Sequence, residues 1–164
     1  LQSSALFTSG IFLAGIVGDT LGGVMSDRIL ARTGSVVKAR RNLIVGGLAG
    51  SMLFFIPVVT LQDLPLVSIS LTLAFFSMEL VIAPLWAVPM DIAPAYAGTA
   101  SGFMNFGSAV AGIISPWAFG WIIDTTGSWH LPFAMSAILM LAGMAAAFYM
   151  HPERKFVEPQ IAPE

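Results

Sequence analysis

The chain has 164 residues, of which 57% are hydrophobic and only 10% charged, against about 25% charged in an ordinary soluble domain. A water-facing surface cannot be built from so few charges, and a mean hydropathy of +0.86 makes lipid the solvent for most of the chain. The net charge of −2 offers no basic surface for nucleic acid, and with no cysteine there is neither a disulfide framework nor a thiolate metal site.

A hydrocarbon core of about 30 Å needs roughly 20 mostly apolar residues in a helix. Five stretches answer to that length: about 5–25, 43–60, 66–90, 98–123 and 131–150. The predicted architecture is an all-α membrane protein with five transmembrane helices over 1–150 and a tail over 151–164. The segments between spans carry turn and polar residues, among them Asp63 and Pro65, Asp91 and Pro94, and Asp124 and Gly127. The tail, HPERKFVEPQIAPE, is polar and proline-rich and is expected to hold little order.

In the first span Gly10, Ala14, Gly18, Gly22 and Ser26 recur every four residues and put one small stripe down one face. Small residues let membrane helices approach closely, so this is a predicted packing face. The connection that follows holds Arg28, Arg32, Lys38, Arg40 and Arg41, five of the seven basic residues. The other two, Arg154 and Lys155, lie in the tail. With five spans, the first connection and the tail share a side, and the positive-inside rule makes that side cytoplasmic. The first helix then runs inward, as expected of the later part of a longer chain. Asp19, two turns before Asp27, is expected to pair structurally. In the second span Gly46 and Gly50 repeat the four-residue spacing.

The third span holds Glu79 near its middle. A charge there costs about 2.5–3.5 kcal/mol on insertion scales, which makes it a functional candidate by default. Two readings stay open: a carboxyl held protonated or paired with a neighbouring helix, or a group for proton coupling or ligand contact. Pro84 and Pro89 interrupt the cytoplasmic half of this span and predict a kink.

In the fourth span Gly98, Gly102, Ala109, Pro116 and Gly120 cluster on one side as a further packing surface. Ser101, Asn105, Ser108, Gly112 and Ser115 recur at steps of four and three, which at about 100° per residue keeps them in a narrow arc. Such a polar stripe serves either as interhelical hydrogen bonding or as the wall of a watered cavity. No Lys or Arg lies inside a span, so an anionic ligand would take its cationic partner from elsewhere. Neither G-x-x-x-x-G-K-[ST] nor G-x-G-x-x-G occurs. His130 and His151 fall at opposite membrane sides and do not suggest a metal pair. The sequence supports neither an enzyme nor a cofactor.

Three stretches together resemble the C-terminal half of a major facilitator superfamily transporter. In GGVMSDRILARTG, Gly23, Asp27, Arg28 and Arg32 match the superfamily's inter-helix signature. Residues 86–124 are similar to the tenth and eleventh helices of the anion:cation symporter branch, through Trp86, Asp91, Pro94, Gly98, Gly102, Asn105, Gly112, Pro116 and Gly120. TGSW at 126–129 matches the short connection before the last helix. The resemblance implies that the five spans are helices eight to twelve of twelve, in a multi-pass plasma-membrane protein such as one of a bacterial inner membrane. It implies secondary transport of a small organic anion, such as a sugar acid, with protons, by alternating access against an N-terminal helical half. It further implies that Trp86 and Asn105 contact solute or line its cavity, and the polar stripe adds Ser101 and Ser108 as candidates for the same wall. Glu79 is not part of that pattern and fits a protonatable coupling group, a partner to an arginine in the other half, or a cargo that is cationic or neutral. By the same resemblance, Asp27 and Arg28 would meet a helix end in the other half and close the cytoplasmic side. The alternative is a receptor or assembly protein that keeps the fold without transporting.

Overall fold

The computed structural model describes residues 2–156, with side chains from Phe7 onward. The tail beyond, 157–164, and the side chains before Phe7, where the first span was expected to begin, lie outside the described residues. Five helical stretches are long and apolar enough to cross a bilayer: Phe7–Thr33, Val36–Thr60, Leu64–Ile92, Pro94–Thr126 and His130–Phe148.

Helix α1 (Gln2–Thr33) runs about two turns past the expected end of the first span. The signature Asp27–Arg28 is therefore helical and not part of a loop. Ile29 and Leu30 are half-buried there and extend the apolar face. The helix stops at Gly34, whose φ of +63° and N–H to the Leu30 carbonyl (2.8 Å) form a left-handed cap that favours glycine. A single turn, α2 (Val36–Ala39), follows, capped by Ser35 accepting from the Lys38 N–H. It leads into α3 (Arg41–Thr60). Asp63 caps the next helix by accepting the Leu66 N–H at 3.0 Å, with Pro65 in its first turn.

The third span is kinked, as its prolines predict: α4 (Leu64–Glu79) and α5 (Ile82–Ile92) join at a break in the regular hydrogen bonding at Leu80–Val81, while both residues keep right-handed helical dihedrals. Pro84 explains the position of the break, because it has no N–H for the Leu80 carbonyl and its ring crowds that oxygen. Pro89 stays inside α5. A 3₁₀ turn (Pro94–Tyr96) leads to α6 (Ala97–Thr126), which ends at the left-handed Gly127, and α7 (His130–Phe148) completes the bundle.

Helix α4 lies between α1 and α3, and α7 packs on the other flank of α3. Ile44, Leu48, Val81, Val88 and Ala147 form the buried core, with Met144 and Met150 against it. Helix α6 rests lightly on α5 and α7, and most of its surface is open.

The expected stripe on α1 is a packing face, with one correction in its register. A Cβ on Gly18 would lie 2.5 Å from the Phe76 carbonyl oxygen, and one on Gly22 would collide with the Leu80 carbonyl. Gly15, not Ala14, completes the face against Phe75, and Gly10 meets nothing within 4 Å. On α3 the tight contact is at Gly47, against Val81 and Ser77, where the sequence pointed to Gly46. Helix positions three and four apart share a face, so these one-residue shifts are the ambiguity expected of a 3.6-residue period. Gly98, Gly102 and Gly120, expected to pack, face no partner within 4 Å among the described residues. The tail also departs from expectation as far as Phe156: it forms a turn with Pro152 fully buried.

Candidate functional site: an ion-pair cluster and a kinked membrane helix

Arg40 stands at the junction of α2 and α3, and its side chain is only 8% exposed. Its Nε–H donates to Asp91 Oδ2 at 2.8 Å, near the end of α5. One terminal nitrogen donates to Ser26 Oγ at 2.5 Å and reaches Asp27 Oδ1 at 3.3 Å, both on α1. Ser26, wholly buried, donates its own proton to the Ala39 carbonyl at 2.7 Å. One planar guanidinium thus joins α1, the α2–α3 corner and α5, a task that suits its fixed fork of donors. Among the described residues no buried side-chain N or O lacks a partner.

The signature residues divide around this cluster. Gly23 lets Ala83 of α5 approach α1, with 3.4 Å between a built Cβ and the Ala83 methyl. The Asp27 side chain is 77% exposed, so it pairs with Arg40 at the rim of the cluster. Arg28 and Arg32 point into the open on the outer face of α1. Arg40 entered the sequence reading only as part of a charge count. Its contact with Asp91 spans 51 residues, and no local spacing reveals such a pair.

Glu79 is the last residue of α4, at the break itself. Its side chain lies on the glycine face of α1: built Cβ atoms on Gly15 and Gly18 would stand 3.3 Å from its Cγ and 3.1 Å from its Cβ. Asp19, next to Gly18, is half-buried on α1, and the side chains that Arg40 meets are Asp91, Ser26 and Asp27 and not Asp19.

Trp86 is half-buried on α5, and Ser101 is half-buried on α6, which packs beside it. Asn105 and Ser108 are exposed further along α6. The Ser108 hydroxyl donates to its own helix at the Met104 carbonyl (3.2 Å). No side chain of another described helix bonds to Ser101, Asn105 or Ser108, so the structure aligns the three without enclosing them. Ser115, at the end of the same stripe, lines an apolar cleft of about 380 Å³ between α6 and α7, facing Pro132 and Ser136.

A helical bundle with five spans, one kinked beside a carboxylate, and an ion-pair cluster at one end defines a polytopic membrane protein. The family model of the Major Facilitator Superfamily matches residues 1–164, and the chain belongs to that superfamily. It is 49% identical over 152 residues to "Probable sulfoacetate transporter SauU" of Cupriavidus necator, a match that covers 93% of this chain and 35% of the relative. It is 35% identical over 119 residues to "Probable galactarate/D-glucarate transporter GudP" of Escherichia coli, covering 72% of this chain and 26% of the relative. Against the "Hexuronate transporter" of Bacillus subtilis it is 30% identical over 168 residues, covering 98% and 37%. The chain thus spans roughly a third of the length of these curated relatives.

Proposed function

We propose that the chain forms most of the C-terminal half of a secondary transporter that carries a small organic anion together with protons by alternating access. The observation that carries this reading is a carboxylate, Glu79, within the third span at its kink. An ionisable group inside a membrane span is a functional candidate, and secondary transporters place solute and coupling-ion sites near the midplane. The relatives' names supply the solute class: sulfoacetate, galactarate or glucarate, and hexuronate are all small anions, two of the three being sugar acids.

In this reading Trp86 and Asn105 contact the solute, and Ser101 and Ser108 line its path on α6. An ionised Glu79 would repel an anion, so its role is that of the protonated coupling group. The cation that holds the anion comes from the N-terminal half, because the apolar stretches 5–25, 43–60, 66–90, 98–123 and 131–150 contain no Lys or Arg. Asp27 and Arg28 serve as half of the cytoplasmic gate, since a carboxylate can sit against the unpaired N–H groups of a helix start. The basic first connection and the tail face the cytoplasm, in the plasma membrane of a bacterium.

The test is solute protection. In the full-length protein, Asn105→Cys should react with a water-soluble thiol reagent, and millimolar glucarate or sulfoacetate should slow the reaction. Complete inaccessibility at Ser101, Asn105 and Ser108 would instead favour a receptor or assembly protein whose α6 stripe bonds to other helices.

A further inference from the structure

The short helix α5 is held differently at its two ends. At its outer end the Leu80–Val81 break rests in a glycine socket, with the Leu80 carbonyl against Gly22 of α1 and the Val81 side chain against Gly47 of α3. At its inner end it is held by the Arg40–Asp91 pair and by a piece of the tail that comes back to it from α7.

That piece has a defined path. Met150 packs on the core and Pro152 is fully buried, which anchors the start of the tail. A turn closes with the Arg154 N–H donating to the His151 carbonyl at 3.1 Å, beside a His151–Glu153 contact of 3.2 Å. The Phe156 N–H then donates to the Ile92 carbonyl at 2.7 Å. Ile92 is the last residue of α5, and the final carbonyls of a helix have no partner within it, so the tail supplies one. The Phe156 ring stands edge-on to Tyr96 at 5.9 Å, just beyond the helix end.

Between tail, α2 and the end of α5 lies a cavity of about 510 Å³, lined by Val36, Val37, Asp91, Pro152, Glu153 and Lys155 among others. The tail, α2 and Asp91 thus share the wall of one cavity. Residues 153–156 are exposed, while Pro152 is buried. Among the described residues, the segment is anchored at Pro152 and meets the end of α5 through the Phe156 N–H and the Phe156 ring, with open space beneath.

We propose that residues 150–156 are a releasable strap that clamps the inner end of α5 and covers the Arg40–Asp91 pair. With the strap in place, α5 is capped and water has restricted access to the pair, so the charges attract more strongly than in bulk water. With the strap lifted at Phe156, the Ile92 carbonyl and Asp91 are both opened to water and α5 is free to swing about the Gly22–Gly47 socket. The strap itself is independent of the solute. Its consequence for transport rests on the alternating-access reading.

The test uses the full-length protein in a cysteine-free background, with Val37→Cys as a probe on the cavity wall and a thiol reagent supplied from the side of the tail. Phe156→Pro removes the donating N–H. It should raise the labelling rate about fivefold, the population shift expected from one ordinary hydrogen bond. Phe156→Ala keeps the N–H and loses the ring, so its increase should be smaller. Ser51→Cys, buried in α3, should stay unreactive in both variants. Unchanged labelling of Val37→Cys in Phe156→Pro would overturn the strap, and so would an equal rise at Ser51→Cys, which would mean general unfolding. Failure of the transport reading appears separately, as absent solute uptake in a protein whose labelling responds as described.

Discussion

Gly22→Ala is the sharpest test of how the bundle is held together. A Cβ at Gly22 meets the carbonyl oxygen, carbonyl carbon and Cα of Leu80, the last two at 2.9 Å. All three are backbone atoms, so no rotamer change relieves the clash. Ordinary contact begins near 3.4 Å, and α4–α5 must therefore retreat from α1 by at least about 0.5 Å. The retreat also loosens Phe76 on Gly18 and Glu79 on Gly15. Overpacking of this kind costs about 1–3 kcal/mol, and the better helix propensity of Ala returns about 1 kcal/mol of it. Gly46→Ala is the matched control, because its Cβ meets nothing within 4 Å and only the propensity gain remains. The two variants should thus differ by about 2 kcal/mol, read as apparent melting temperature in detergent, with Gly22→Ala below wild type and Gly46→Ala level with or above it. If Gly22→Ala is as stable as Gly46→Ala, the close approach of Leu80 to Gly22 does not hold the bundle.

Other expected outcomes follow from the inner cluster. Arg40→Met leaves Asp91 and Ser26 without their donor in a mostly buried place, and should cost about 3 kcal/mol in the same melting assay. Asp27→Asn, at a side chain 77% exposed, should cost less than about 1 kcal/mol of stability, so any strong effect of it on transport must come from a gate and not from folding. Ser26→Ala removes an acceptor from an Arg40 nitrogen that keeps only its longer contact to Asp27, and removes the donor to the Ala39 carbonyl; it should cost about 1–3 kcal/mol. Arg40→Lys should recover only part of what Arg40→Met loses, because a single ammonium cannot reproduce the fork to Asp91, Ser26 and Asp27.

Much of this architecture is legible in the sequence because lipid imposes simple rules. Apolar length gave the five spans, and the four-residue repeat ending at Ser26 gave the face on which α1 packs. The exact partners were less legible. A period of 3.6 residues cannot distinguish Ala14 from Gly15 or Gly46 from Gly47 without knowing where the neighbouring helix runs. The break at Leu80–Val81 lies one turn before Pro84, because proline disturbs the carbonyl four residues earlier and not its own position. The Arg40 cluster was hidden for a different reason: Arg40, Ser26 and Asp91 come from three segments that meet only after folding. The tail misled through composition, since its prolines and charges suggested disorder while Pro152 is buried and Phe156 caps α5. Ser101, Asn105 and Ser108 stood out as a stripe, and the structure keeps them on one face of α6.

The central claim is coupled transport with Glu79 as the proton-carrying group. It is tested most directly by uptake of labelled glucarate or sulfoacetate into proteoliposomes containing the full-length protein, with and without an imposed pH gradient. The account predicts accumulation above equilibrium only with the gradient, and loss of that accumulation in Glu79→Gln. Gradient-driven accumulation by Glu79→Gln equal to that of the wild-type protein would contradict it.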